Sequence, residues 1–272
     1  MLLWKSNFFL RIRYSSFFLK LWLEFRKDVK TELEEQEKYY NYFLQYSKTT
    51  SGIVFDIGAN EGFMSALFLR KGCTVIAVEP DKRNVAILRN RFVKNKKFHL
   101  YPFVLAEDIS PKKLFVQENG TALSTVSKKW KGLVETDGYR VHSFYDKDSI
   151  TVESITLDQL LQQWKKVSLI KMDVEGYEAN ALRGLSMKVP LLIFEANLPE
   201  FLDETLDCIR QLHAIDETIL FNYSDNFKLQ LGKFLGYDDF RYKLPGIASR
   251  CIDVICVMSN YDEFFDSKMI NR

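Results

Sequence analysis

The stretch from Ile53 to Gly62, I-V-F-D-I-G-A-N-E-G, limits what this chain can fold into more than any other segment. A short apolar run (Ile53, Val54, Phe55) ends in Asp56, turns through Gly58 and re-enters a helical pattern at Glu61. A buried strand feeding a glycine turn and then a helix is the first unit of a nucleotide-type α/β fold. The glycines are read as points where backbone passes close to a ligand and a Cβ would collide. The letters differ from the dinucleotide pattern G-x-G-x-x-G, whose third glycine opens the helix against a pyrophosphate. Here the order is D-x-G-x-N-x-G, and an acid at the strand end repels a phosphate. An acid and an asparagine suit a ligand with an ammonium group and a neutral or positive linker. S-adenosylmethionine has both.

A second signal follows at the distance of one crossover helix. Thr74 to Val78 is a β-branched run that ends in Glu79-Pro80. An acid at the end of a second strand is placed to accept both ribose hydroxyls of an adenosine. Together the two stretches predict a cofactor-binding half-sheet with Asp56, Gly58, Asn60, Glu61, Gly62, Glu79 and Pro80 at the cofactor. Phe98 to Leu105 reads as a third strand. Ala106-Glu107-Asp108 follows it where an adenine edge would lie, which adds Glu107. Lys113 to Val116 reads as a hairpin strand returning from it.

With 272 residues the chain is long enough for one α/β domain with a proper core. Lys and Arg total 38 against 36 Asp and Glu, and a net charge of +2 gives no general attraction for nucleic acid. Cys73, Cys208, Cys251 and Cys256 show no C-x-x-C spacing and read as small core residues in a reducing, cytoplasmic compartment.

Residues 1–27 alternate apolar and basic side chains, so no run reaches a membrane span and no secretory signal is present. Wound as a helix, they place Lys5, Arg13, Lys20 and Lys27 on one side and Trp4, Phe8, Phe18 and Trp22 around the rest. Such a helix either lies on a membrane interface, at the inner face, or packs on the domain or a second subunit. Residues 31–46 read as an acidic helix capped by Thr31 with Glu34 completing a capping box, its tyrosines covering the sheet edge. The expected division is N-terminal helices over 1–48, the main domain over 49–260 and a tail over 261–272.

The chemistry concentrates further on. Ser168 to Asp173 is a central strand, Val174-Glu175-Gly176-Tyr177-Glu178 turns into a helix, and Leu191 to Glu195 is the next strand, ending E-A-N at Asn197. Strand ends on one edge of a parallel sheet converge on a single crevice. Asp56, Glu79, Asp173, Glu175, Glu195 and Asn197 therefore share a rim. Repeated acids at buried strand ends are poorly explained by packing, because an unpaired buried carboxylate is costly. Residues 117–149 form a long polar loop, either a binding element or a surface insertion. Phe234, Tyr237, Phe240 and Tyr242 read as hairpin core, with a wall over the pocket as the alternative. The helix residue Glu178 reads as exposed.

Four blocks carry a family resemblance: V-F-D-I-G-A-N-E-G, V-I-A-V-E-P-D, S-I-T-L-D-Q-L-L and L-I-K-M-D-V-E-G-Y-E-A-N-A-L-R-G-L. Over about residues 50–258 the chain resembles the FkbM family of S-adenosylmethionine-dependent methyltransferases. The K-x-D-x-E-G-x-E block with T-L-D upstream is the specific part. The resemblance implies a class I methyltransferase (Rossmann-like) sheet of seven mostly parallel strands, one antiparallel, with helices on both faces and N-terminal helices in front. It also implies O-methylation of sugar or polyketide hydroxyls. The segment T-A-L-S-T-V-S is similar to the family's hydroxyl-rich loop near the cofactor, which brings in Ser124 and Thr125.

For the reaction, Asp173 is the first candidate for the base, Glu175 the second, and Lys171 holds the acid or touches the acceptor. Asp173 with Glu195 and Asn197 lacks a firm third carboxylate, so no metal is expected. His99, His142 and His213 form no cluster, and His142 is the weaker candidate for a base. The readings that compete with O-methylation are a non-catalytic cofactor-binding subunit and methylation of another acceptor such as nucleic acid. Against the latter, no N-P-P-Y/F segment stands at the Asp173 position and no basic excess exists. The acceptor is expected to be a small molecule or glycan, with no nucleic-acid partner.

Overall fold

The computed structural model describes residues 27–46, 52–118, 122–136, 144–146 and 148–258. Residues 1–26, Thr121, His142 and the tail over 261–272 lie outside the described residues, and with them the expected amphipathic helix apart from Lys27.

The chain opens with α1 (Lys27–Tyr46) and then alternates β1 (Ile53–Ile57), α2 (Phe63–Arg70), β2 (Thr74–Val78), α3 (Lys82–Phe92) and β3 (Phe98–Tyr101). A flap of short elements follows: β4 (Val104–Leu105), β5 (Lys112–Leu114), α4 (Lys128–Val134), β6 (Ile150–Val152) and β7 (Ser154–Ile155). Then come α5 (Leu157–Gln163), β8 (Val167–Met172), α6 (Glu178–Leu182), β9 (Leu191–Asn197) and α7 (Leu202–Ile215). The last elements are β10 (Leu220–Asp225), β11 (Lys228–Leu229), α8 (Tyr237–Lys243) and β12 (Cys251–Val257).

The main sheet has the order β11-β10-β12-β9-β8-β1-β2-β3. Strands β3, β2, β1, β8 and β9 are parallel, and β12 runs antiparallel to both of its neighbours, β9 and β10. These are the expected seven strands with one reversed, and the two-residue β11 adds an eighth at the edge. Period-2 alternation sorts each strand between two cores. Phe55, Ile57, Ile76, Ile170 and Met172 pack with α5, α6, α7 and α8, whereas Val54, Val75, Leu169 and Ile193 pack beneath α1 and α2. The order in which strands are added to the sheet reverses between β1 and β8, so the ligand crevice of an open α/β sheet falls at their carboxyl ends.

Local signals account for several boundaries. Asp81 caps α3 by accepting from the Arg83 N–H at 2.9 Å. Thr156 and Gln159 form the reciprocal capping box of α5. Gly72 follows α2 at φ 85°, the left-handed position glycine takes after a helix.

Other expectations need correction. Helix α1 is already formed at Lys27, so Thr31 sits within it and is no cap. Its rings pack on the sheet face, with Val54, Val75 and Leu169, and not on its edge: Tyr40 meets Phe68 edge-on at 5.3 Å between centroids, and Tyr39 lies 5.8 Å from Phe227. The third strand breaks at Pro102, which cannot donate to a ladder, and β4 pairs instead with β7. Strand β5 pairs antiparallel with β6, a distant partner, and forms no hairpin with β4. Phe63, which opens the buried face of α2 in the sequence pattern, is 37% exposed and lines the crevice. Phe234 and Phe240 are core as expected, but Tyr242 is exposed. Among the described residues no helix is long and apolar enough to cross a membrane.

Candidate functional site

A cavity of about 930 Å³ opens at the carboxyl ends of β1 and β2. Of the sequence-predicted cofactor residues, Asp56, Gly58, Asn60, Glu61, Glu79, Pro80, Ser124 and Thr125 line it, as do Lys171, Asp173 and Glu175. Asp56 is fully buried. Its Oδ2 accepts from Ser65 Oγ at 2.6 Å, while its Oδ1 has no hydrogen-bond partner. Burial raises the Asp56 pKa, and the Lys171 charge opposes that rise. Glu79 accepts the N–H of Asn60 at 2.7 Å on one carboxylate oxygen and that of Asp81 at 2.8 Å on the other. Burial pushes its pKa up to about 7 despite these two bonds. The Asn84 side chain also hydrogen-bonds this carboxylate, and the acceptor capacity that is left can serve a ligand hydroxyl.

The glycines work differently from the expectation. A Cβ on Gly58 would lie 1.8 Å from the carbonyl oxygen of Asp173, so this glycine lets the β1 turn close against the end of β8. Gly62 does not line the cavity. It precedes α2 at φ 80°, where a Cβ would lie 2.5 Å from Leu88 and 2.7 Å from Phe92. Both glycines serve protein packing, and only Gly58 also borders the ligand space.

Glu107 is likewise outside the lining. Its carboxylate accepts from Lys112 Nζ at 2.8 Å and from the Tyr177 hydroxyl at 3.0 Å, so it steadies Tyr177, which does line the cavity. The wall where an adenine would lie is apolar: Phe103, Val104, Leu105, Leu114 and Val126. Sequence reading missed these residues, although the apolar letters after Pro102 were a signal. The hydroxyl-rich loop is tied down at two points. Ser124 Oγ donates to Asp81 Oδ2 at 3.0 Å, and Thr125 Oγ1 donates to the Glu175 carbonyl at 2.8 Å.

The β8 end carries the densest charge. Register places Lys171 beside Asp56, Glu195 beside Asp253, and Asp253 beside Ser224, a polar row across the face under α1. Lys171 Nζ lies 3.2 Å from Asp173 Oδ2. Burial works against the lysine's charge, but Asp173 and Asp56 outweigh it and raise its pKa above the ordinary lysine value. The other oxygen of Asp173, Oδ1, is buried and accepts no hydrogen bond. Glu175 stands at φ 55° and Gly176 at φ 79°, two successive left-handed residues that turn the chain sharply after the strand. Such strain in a non-glycine residue costs ~1–3 kcal/mol and gathers at functional sites. Burial, then the charges of Asp173 and Glu195, hold the Glu175 pKa well above the usual carboxylate range and favour its neutral form.

Glu178 corrects its expected exposure. It is buried, accepts the Val174 N–H at 3.0 Å, and burial pushes its pKa up to about 8. Carboxylate oxygens of Asp173, Glu175 and Glu195 come within 4.8 Å of one another. Glu175 is thus the third carboxylate that sequence reading lacked, whereas the Asn197 amide is turned to donate to Glu195 at 2.9 Å. The Lys171 ammonium already faces this cluster. Cys251, expected in the core, is half-buried and donates to Glu195 at 2.9 Å.

A second cavity of about 590 Å³ adjoins the first and shares Gln36, Met64, Lys171 and Asp173 with it. Its other walls come from α1, the β10–β11 turn and β12. None of Glu35, Ser224, Asn226, Phe227 and Asp253 was foreseen.

The first cavity fits S-adenosylmethionine chemically. The unpaired Asp56 oxygen suits a cationic amino-acid end, Glu79 suits ribose hydroxyls, and the apolar wall suits a purine. A family model described as a methyltransferase FkbM domain matches residues 56–221. No curated protein is significantly similar in sequence. Among solved structures the chain is similar to a TehB-like SAM-dependent methyltransferase from Corynebacterium glutamicum, at 11% identity and TM-score 0.43 over 83% of this chain and 88% of that one. It is also similar to the plantazolicin methyltransferase BpumL in complex with SAH, at 8% identity and TM-score 0.41 over 94% and 96%. A third likeness is to the fibrillarin pre-rRNA processing protein of Methanococcus jannaschii, at 9% identity and TM-score 0.40 over 77% and 67%. With the domain match spanning more than half of the chain, this protein belongs to the FkbM methyltransferase family, whose methyl donor is S-adenosylmethionine.

Proposed function

We propose that the protein methylates a hydroxyl oxygen on a glycan, a glycolipid or a related secondary metabolite, with Asp173 as the proton acceptor. The observation that supports this is the position of Asp173: it borders both cavities at the end of β8, with Lys171 hydrogen-bonded to its carboxylate. When bound, S-adenosylmethionine supplies an electrophilic methyl group on a sulfonium leaving group. Asp56 would balance the donor's cationic end, and Glu79 would accept its ribose hydroxyls. Lys171 holds the Asp173 carboxylate in place through Oδ2, and that carboxylate takes the hydroxyl proton as the C–O bond forms and the methyl–sulfur bond breaks. Holding the acceptor against the donor supplies much of the rate by orientation alone. Glu175, in its neutral form, is a hydrogen-bond donor toward the same point.

Neither nucleic acid nor a protein partner is part of this reading, and membrane contact through residues 1–27 remains a separate proposal, tested by liposome flotation of the full chain. The function itself is tested with S-adenosylhomocysteine calorimetry and a labelled-donor assay on glycosides. Binding of the product together with methyl-ether formation supports it. Binding with every hydroxyl acceptor left unmethylated would point to a non-catalytic cofactor-binding subunit instead.

A further inference from the structure

From the second cavity we infer that the acceptor is a non-anionic polyhydroxyl ring, such as a neutral or amino-bearing sugar, held between α1 and the β10–β11 turn. This rests on the methyltransferase reading above and adds where the acceptor sits and which charge it can carry.

The first argument is position. The two cavities meet at Lys171 and Asp173, the point where an acceptor oxygen must arrive. At about 590 Å³ the second cavity falls within the ~300–1,000 Å³ usual for small-molecule sites. The second argument is origin. Of its lining residues only Met64, Lys171, Asp173 and Glu195 fall inside the family match at 56–221. The donor cavity, by contrast, takes all its lining but Gln36 from that span. The donor is thus read by residues inside the family match, and the acceptor mostly by segments outside it.

The third argument is charge. Glu35, Asp173, Glu195 and Asp253 face this space against Lys171 alone among its lining residues, and Lys171 is already committed to Asp173 and Asp56. A phosphate or carboxylate on the acceptor would meet this excess of like charge in a partly desolvated site. Hydroxyl and ammonium groups would find acceptors there.

The fourth argument is Phe227. It stands at φ 61° after Asn226 at φ 47°, the two central residues of the β10–β11 hairpin. Such a turn calls for asparagine followed by glycine. A phenylalanine in that conformation is strained, and its half-buried ring packs on Tyr39 and borders the cavity. An aromatic face with Ser224 and Asn226 beside it suits a sugar ring, whose faces are apolar and whose edge is polar.

The test compares methyl and octyl glucoside, glucosamine, glucuronate and glucose 6-phosphate. Each is scored for methylation with labelled donor and for binding by saturation-transfer NMR with S-adenosylhomocysteine present. The neutral and amino sugars are expected to bind and react, and the two anions to do so at least ~10-fold less well, the factor of a 1.4 kcal/mol penalty. Octyl above methyl glucoside would identify a lipid-borne sugar as the source, and equal signals a free one. The double variant Glu35→Gln/Asp253→Asn should narrow the gap between neutral and anionic sugars. Phe227→Gly should keep the fold, since it restores the turn's preferred residue, leave product affinity unchanged and raise the acceptor KM ~10-fold. Preferential use of either anion would overturn the inference, as would absence of binding by every sugar in a protein that still binds S-adenosylhomocysteine. Loss of that product binding would instead strike at the methyltransferase reading.

Discussion

The donor cavity and the cavity beside it share a wall at Lys171 and Asp173 but are assembled in different ways. The donor cavity is built from strand ends and the turns directly after them, so each of its polar groups follows a recognizable run of letters. The second draws on α1, β10, β12 and the β10–β11 turn, which are far apart in sequence and meet only through the order of the sheet. The first cavity is thus built by locally encoded geometry and the second by long-range packing.

The harshest challenge to this contrast is Gly58→Ala, against the backbone of Asp173, which both cavities share. The new Cβ would lie 1.8 Å from the Asp173 carbonyl oxygen at a backbone φ of 74°. The left-handed conformation alone costs ~1–2 kcal/mol. The thermal midpoint should fall by at least ~5 °C, with both binding activities lost together. A midpoint like that of the parent would mean that the turn is not held as described.

Asp173→Asn separates the two cavities next. It should lower kcat by ~100-fold or more and change the affinity for S-adenosylhomocysteine only a few-fold. Rapid turnover in this variant would assign the proton to another group. Lys171→Met should act more mildly and through pH. Without the ammonium that opposes the rise of its pKa, the buried Asp56 is protonated at higher pH, so the acidic limb of kcat/KM should move to higher pH. An unmoved profile would show that Lys171 does not tune the acid.

Glu178 gives a stability test at one remove from both cavities. Its pKa lies at about 8 in the folded protein against an ordinary 4.5, so the folded state binds the proton more tightly than the unfolded one. Its contribution is therefore fully present below pH 4.5 and is lost as pH rises toward about 8. Glu178→Gln should flatten the fall of the thermal midpoint across that window. The smallest expected effect is that of a chelator. Lys171 already supplies positive charge to the Asp173, Glu175 and Glu195 cluster, so EDTA should leave turnover unchanged. Loss restored by magnesium would place a cation among those carboxylates.

The half-sheet was legible because strand, turn and capping signals are local. Asp56 and Glu79 end their strands at the crevice, and Asp81 and Thr156 cap their helices as their spacing predicts. Reading failed wherever a neighbour distant in sequence decided the outcome. Glu107 is drawn off by Lys112 and Tyr177. Gly62 is spent on Leu88 and Phe92. Glu178 is turned inward to hold the Val174 N–H. Thr31, with a good capping sequence, lies inside a helix that already exists at Lys27.

By itself, then, the amino-acid order determined a parallel sheet with acids at its strand ends and a place for a methyl donor, since apolar periodicity and turn chemistry act over a few residues at a time. Tertiary structure alone decided which acids share charge with Lys171, which are buried in neutral form, and that α1 and the β10–β11 turn enclose a second space. Those outcomes depend on desolvation and on distances between segments nearly two hundred residues apart, such as the Ser224–Tyr39 hydrogen bond at 3.0 Å with its separation of 185 residues. No local pattern carries that information.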